Sequence, residues 1–197
     1  MDTEKIGQLI SQLRKEKQLT QQQLAEALHI TNKTISKWEC GKGIPDITLW
    51  EPLAQLLGAD ILKLLQGNLS LNTIDTGNIR RLKIFVCPHC GNILTSTSTT
   101  TITCCGRSLT ALTAMLNDTT HKPNVISIDG ANYLTFTHTM TKEEYIYFVA
   151  YIYDDFIWLQ RLYPEQEPAI QLPRLKRGGK LLVYCLNHGL FSYQHII

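Results

Sequence analysis

Apolar residues recur at helical spacing over roughly the first third of the chain and change rhythm beyond Leu82. Ile6, Leu9, Ile10 and Leu13 follow the i, i+3, i+4, i+7 rule and predict a first helix with one apolar stripe, ended by the charged run from Arg14 to Lys17. Thr20 followed by Gln23 is a capping box that opens a short second helix bearing Leu24, Ala25 and Leu28. His29 and Ile30 form the turn. Thr31 then caps a third helix over 32–39 with Ile35 and Trp38 inward, and Gly41 stands where a helix C-terminus takes positive φ. A second capping box, Thr48 with Glu51, predicts a fourth helix carrying Leu49, Leu53, Leu56 and Leu57, with Pro52 tolerated in its first turn. Asp60 caps a fifth, with Ile61, Leu62, Leu64 and Leu65, ended by Gly67.

Beyond Leu82 the apolar positions alternate or form short β-branched and aromatic runs. From Val125 about seven strands are expected: VISI, NYLTFT, YIYFVAYI, FIWLQRL, AIQL, LLVYC and LFSYQ. Asp129-Gly130, Asp154-Asp155, Pro164 and Gly178-Gly179 separate them as turns, a pattern that suggests a small antiparallel sandwich. The polar stretch GNLSLNTIDTGNIRR between the two rhythms reads as a linker. The expected organisation is an all-helical domain over 1–67, a linker over 68–82, a cysteine-rich module over 83–112 and a β domain over 113–197.

Composition narrows the classes. Of 197 residues, 44% are hydrophobic and 18% charged, enough apolar material for packed cores and too little charge for a mostly disordered chain. No apolar run approaches the ~20 residues of a membrane span, and MDTEKIGQLISQLRKEK lacks the h-region of a signal peptide. The expectation is a cytoplasmic protein without a membrane partner. In that reducing compartment the six cysteines are read as ligands or thiols before disulfides. The net charge of +2 decides nothing, and the first 67 residues balance 8 Lys+Arg against 8 Asp+Glu. Within 31–42, however, Lys33, Lys37 and Lys42 face Glu39 alone.

Two short helices joined by a tight turn, with Asn32, Lys33, Ser36 and Lys37 opposite Ile35 and Trp38, have the layout of a helix-turn-helix. An Asn amide can pair with adenine, and Lys can donate to guanine or phosphate. Thr20 and Gln21, at the start of the second helix, are placed to anchor the DNA backbone. Residues 5–66 resemble the lambda-repressor-like, Xre-type family, through LTQQQLAEAL, TNKTISKWECGKGIPD and LAQLLGAD. The resemblance implies major-groove reading of a double-stranded operator by the third helix, often as a homodimer. His29 replaces the glycine usual at the turn. Cys40, just past the third helix, is expected to be buried or inert.

The cysteines cluster: residues 1–86 hold one and the next 19 positions hold four. Cys87-Pro-His-Cys90-Gly, twelve residues, then Cys104-Cys105-Gly offers four thiolates for one tetrahedral metal. Adjacent cysteines on a flat strand point to opposite faces, so both reach one metal only where the chain bends, which Gly106 permits. His89 is expected to be an exposed spectator, and the alternation in TSTSTTTIT suits a β-hairpin. Residues 84–110 resemble the desulforedoxin-type module, which implies iron or zinc, with a structural role favoured over redox sensing.

Across the β domain stand His121 in H-K-P, His138 in H-T-M, and Cys185-Leu-Asn-His188-Gly. Residues 119–195 are similar to the superoxide reductase core of desulfoferrodoxin and neelaredoxin. That resemblance implies iron under an axial thiolate with histidines around it. His121, His138, Cys185 and His188 match ligand positions, and the remaining histidine position is Glu144, a carboxylate that can still ligate iron. Thr119 and Thr120 stand where the family carries a Glu-Lys pair, so the cation that would attract superoxide is missing at those positions. His195 matches no ligand position and reads as a surface residue. The expected fold is a multidomain α and β chain: a five-helix lambda-repressor-like domain, a small rubredoxin/desulforedoxin-like knuckle and an immunoglobulin-like antiparallel β-sandwich. The expected function is a DNA-binding transcriptional regulator whose C-terminal region senses a metal or small oxidant or serves dimerisation. The alternative is an iron-dependent superoxide reductase carrying a DNA-binding domain.

Overall fold

The computed structural model describes every residue except Met1, 70–73, 75–78, Asn117, 173–174, 176–177 and 195–197. Most of the expected linker and His195 therefore lie outside the described residues. The chain divides into two compact units, 1–71 and 72–197, and the cysteine-rich segment belongs to the second. Among the described residues no helix is long and apolar enough to cross a membrane.

Among the described residues, five α-helices build the first unit: α1 (Thr3–Glu16), α2 (Gln21–Ala27), α3 (Asn32–Glu39), α4 (Trp50–Leu57) and α5 (Ile61–Gln66). Their apolar stripes meet in one core that buries Ile10, Leu24, Ile35, Trp38, Leu53 and Leu64. Gly7 lets α1 approach α3, because a Cβ there would lie 2.1 Å from the Trp38 carbonyl oxygen. Asp2, Thr20, Thr31 and Asp60 cap their helices through side-chain oxygens, and both halves of the Thr20–Gln23 box are formed. The expected box at Thr48 and Glu51 is not. Asp46 instead caps a 3-10 turn over Ile47–Leu49, and Thr48 gives both its amide and its hydroxyl to that carboxylate. An ionised carboxylate two residues upstream takes the Thr48 hydroxyl as a donor, so α4 starts without a side-chain cap. His29 adopts φ +56°, a conformation that costs a non-glycine residue about 1 kcal/mol.

A buried ion pair ties the helices together. Arg14 Nε and Nη2 donate to Glu39 at 2.6 and 3.0 Å, while Nη1 donates to the Leu19 carbonyl at 2.7 Å. Only 10% and 7% of the two side chains is exposed, so the donors fork onto an almost dry carboxylate.

In the second unit, β1 (Lys83–Val86) and β2 (Ile93–Ser96) form one hairpin, and β3 (Ile102–Cys104) and β4 (Arg107–Leu109) form another. The serine- and threonine-rich segment therefore does not fold back on itself as expected. Each cysteine pair instead lies at the turn of its own hairpin, and those turns set the pairing. The remaining strands are β5 (Ala114–Leu116), β6 (Asn124–Ile128), β7 (Ala131–Thr135), β8 (Ile146–Tyr153), β9 (Phe156–Arg161), β10 (Ala169–Leu172), β11 (Lys180–Cys185) and β12 (Gly189–Gln194). They form a three-stranded sheet, β10-β7-β6, and a five-stranded sheet, β5-β12-β11-β8-β9. Pairing in both is antiparallel except between β5 and β12, which run parallel.

The two sheets share a core in which Leu134, Ile170 and Leu172 meet Val149, Tyr151, Val183 and Phe191. On the opposite face of the larger sheet, Phe148, Ala150, Ile152, Leu182 and Leu190 pack against Ile84 of β1. With both faces covered, β8 is apolar throughout instead of alternating.

Replacing Glu39 by Ala leaves Arg14 buried without its partner and is expected to destabilise the first unit by about 3–5 kcal/mol. Burial pulls the Glu39 carboxyl up, but hydrogen bonds from Arg14 and Gln21 outweigh it and hold it below its ordinary 4.5. The pair's contribution is therefore complete above that value and is lost as pH falls through the lower folded one. Urea unfolding followed by helical circular dichroism checks both points. A variant with an unchanged midpoint at neutral pH contradicts them.

Candidate nucleic-acid interface and metal centres

The α3 side chains divide as the sequence pattern requires. Ile35 and Trp38 are buried, Asn32, Lys33 and Lys37 are exposed, and Ser36 is half-buried. Thr20 and Gln21 are different. Thr20 Oγ1 accepts from the Gln23 amide at 3.1 Å, and Gln21 Nε2 donates to Glu39 at 2.8 Å. Thr20 is exposed and caps α2, while Gln21 is half-buried and ties the start of α2 to the end of α3. Cys40 is the C-cap of α3 and is exposed, not buried.

The four cysteines of the knuckle come together. Cys87 to Asn92 forms the turn between β1 and β2, closed by the Cys87 amide on the Asn92 carbonyl and the Gly91 amide on the Cys87 carbonyl, each at 2.9 Å. The second turn consists of Cys105 and Gly106, whose φ values of +51° and +71° suit a tight two-residue hairpin. That bend puts adjacent cysteines on one side. All four sulfurs lie within 4.8 Å of one another, with Cys90 to Cys104 at 3.5 Å and Cys104 to Cys105 at 4.0 Å. Zinc–sulfur bonds of about 2.3 Å in a tetrahedron place sulfurs ~3.8 Å apart, so the set fits a single ion.

Electrostatics favours the same conclusion. Amides of Cys90 and His89 donate to the Cys87 sulfur and bring its thiol down to about 6. Hydrogen bonding with Cys90, then burial and the other sulfurs, pushes Cys105 up to about 12, and Cys104 is raised by Cys90 and Cys87. Four crowded thiols cannot all ionise unless a cation lies among them. His89 is exposed and outside the cluster.

Gly91 docks this knuckle on the sheet. It adopts φ +69°, its carbonyl accepts from the Tyr147 hydroxyl at 2.5 Å, and a Cβ there would lie 2.2 Å from that oxygen. Arg161 covers the Tyr147 ring at 4.4 Å.

A second cluster lies at strand ends of the sandwich. His121, His138, Cys185 and His188 place their ligand atoms within 4.8 Å of one another. Cys185 Sγ is 3.5 Å from His138 Nε2 and 3.4 Å from His188 Nδ1, and His121 Nε2 is 3.2 Å from His188 Nδ1. Neighbouring nitrogen and sulfur ligands on one ion stand about 2.9–3.6 Å apart, so this set also fits. Cys185 is carried inward by a register shift between Tyr184 and Cys185 where β11 pairs with β8. His188 follows in the turn into β12, which Gly189 completes at φ +92°.

Glu144 stands beside the group, with Oε1 3.6 Å from His188 and 3.8 Å from His138. Burial holds the His138 ring below its ordinary value, helped by the neighbouring His121 and opposed by Glu144. Thr119 and Thr120 are exposed.

Three residues here escaped the sequence reading. Asp118 accepts from the His121 amide at 2.7 Å and contacts His121 Nδ1 at 3.1 Å, Tyr193 donates to it at 3.0 Å, and Phe191 stacks on the His121 ring at 4.2 Å. The three-residue spacing of Asp118 and His121 is a turn signature that could have flagged the first. Tyr193, 75 positions from Asp118, left no local signal.

Residues 10–64 match the helix-turn-helix family model. The first unit is a helix-turn-helix domain. A 78-residue stretch is 37% identical to the HTH-type transcriptional activator BcrR of Enterococcus faecalis, covering 40% of this chain and 38% of that protein. The match thus spans well under half of the curated relative. Among solved structures, the superoxide reductase from Treponema pallidum superposes at a TM-score of 0.50 with 21% identity, covering 58% of this chain and 99% of that one. The second unit therefore shares the superoxide reductase fold. The clp gene regulator ClgR from C. glutamicum matches 34% of this chain and 87% of its own, at 25% identity and a TM-score of 0.31. The helix-turn-helix domain is thus joined to a unit in which cysteine and histidine clusters could hold metal.

Gly91→Ala forces a Cβ into the Tyr147 hydroxyl at a left-handed backbone position. It is expected to lower the thermal midpoint of the second unit by several degrees and, in protein loaded with zinc, to speed release of that zinc to a chromogenic chelator. Unchanged melting and unchanged zinc release would show that this contact does not anchor the knuckle.

Proposed function

We propose that this protein is a sequence-specific transcriptional regulator whose superoxide reductase-like unit reports metal or oxidant status to the DNA-binding domain. The observation that carries the reading is the α3 surface. Asn32, Lys33 and Lys37 are exposed on a short helix whose other face is locked in the core, in a chain whose second unit gathers two sets of metal-ligand side chains. Asn32 supplies a bidentate partner for adenine, and Lys33 and Lys37 supply donors for guanine or phosphate. The protein acts as a homodimer on a palindromic or repeated operator, so that metal state alters the placement of two recognition helices. In this reading Cys87, Cys90, Cys104 and Cys105 hold iron or zinc structurally, and His121, His138, Cys185 and His188 hold iron with Glu144 as a further oxygen ligand.

The grouping of three histidines and a thiol also favours a second reading, a working superoxide reductase. Thr119 and Thr120 weigh against it, because no lysine there attracts an anionic substrate. Rapid mixing of the iron-loaded protein with superoxide separates the two, since turnover supports the enzyme and its absence in a loaded protein the regulator.

Selection of duplexes from a random pool by the full chain is expected to yield one short motif. Asn32→Ala and Lys37→Ala should each weaken binding to it by roughly 5- to 100-fold. Stripping and restoring metal should change its affinity at least 5-fold. Specific binding that ignores metal and oxidation overturns the reporting role, and failure to select any motif overturns the regulator.

A further inference from the structure

We infer that Asp118 is a positioning residue for the His/Cys centre: its carboxylate turns His121 Nε2 toward the cluster, and Tyr193 holds the carboxylate in place. This rests on reading His121, His138, Cys185 and His188 as a metal site. One oxygen, Oδ2 of Asp118, meets three groups: the His121 amide at 2.7 Å, His121 Nδ1 at 3.1 Å and the Tyr193 hydroxyl at 3.0 Å. An ionised carboxylate accepts and does not donate, so Nδ1 carries the proton. In the neutral ring that leaves the lone pair on Nε2. That atom lies 3.2 Å from His188 Nδ1, inside the cluster.

The ring is held in its plane as well as in its tautomer. Phe191 stacks on it at 4.2 Å with an interplanar angle of 13°, and the residue is 3% exposed. Phe191 and Tyr193 are alternate residues of β12 and share its inner face. One strand thus fixes both the ring and the carboxylate, and it begins at Gly189, directly after the ligand His188.

A purely structural turn would need only the bond from the His121 amide. The additional contacts at Nδ1 and from Tyr193 are what a ligand-orienting carboxylate requires, and such a partner raises ring basicity and strengthens the metal bond.

Cobalt(II) titration of the full chain, followed by thiolate-to-metal and d–d absorption, tests this. The component missing from Cys185→Ser reports the His/Cys centre. Asp118→Ala is expected to weaken that component about 10- to 100-fold and leave the four-cysteine component unchanged. Asp118→Asn, which keeps an acceptor but loses the charge, should melt like the parent and weaken cobalt binding less, as should Tyr193→Phe. Independently of metal, ring nitrogen NMR should find His121 protonated at Nδ1 in the parent and lose that tautomer in Asp118→Ala. A His121 protonated at Nε2, or Asp118 variants that bind cobalt at the His/Cys centre as tightly as the parent, overturns the inference. A parent chain lacking any Cys185-dependent component overturns the metal reading, and the inference falls with it.

Discussion

The second unit depends on burying the central pair of its larger sheet on both faces. β8 and β11 contribute Val149, Tyr151 and Val183 to the core shared with the smaller sheet, and Phe148, Ala150, Ile152 and Leu182 to the core beneath β1. Both candidate metal centres are attached to this pair. Tyr147 of β8 reaches Gly91 in the first cysteine turn, and the register shift at the end of β11 delivers Cys185 to the histidines. A rigid, doubly covered sheet holds ligands from distant parts of the chain at contact distance, which loops alone would do poorly.

What those ligands share is a charge problem. Cys105 is driven up by its sulfur neighbours, and His138 is driven down by burial and by a second imidazole. Each group would rather lose or avoid its charge than share the space, and a bound cation reverses that preference. The helix-turn-helix domain has the opposite arrangement. Its buried charge pair, Arg14 and Glu39, is closed on itself with Gln21 as a third partner, and the lysines of α3 face solvent. Buried structural charge and solvent-facing charge are thus kept on different groups.

Much of this could be read from the sequence because it is local. The helix stripes, the Thr20–Gln23 box, the Asp60 cap and the strand runs are written in neighbouring residues, and the structure follows them closely. The departures have local causes too: Asp46 outcompetes Thr48 as an acceptor, and two turns capture the strands that flank the threonine-rich segment. The two ligand clusters were legible through motif spacing and family resemblance. Their supports were not. Gly91 with Tyr147 and Asp118 with Tyr193 pair residues 56 and 75 positions apart, and only the folded chain shows them as neighbours.

The central claim is that one chain carries a DNA-binding domain and two separate metal centres. Elemental analysis of the full chain, purified without oxygen, tests it most directly. The account predicts about two metal ions per chain, one for each set of ligands that fits a single ion. A chain that folds and purifies with neither cluster occupied would contradict it.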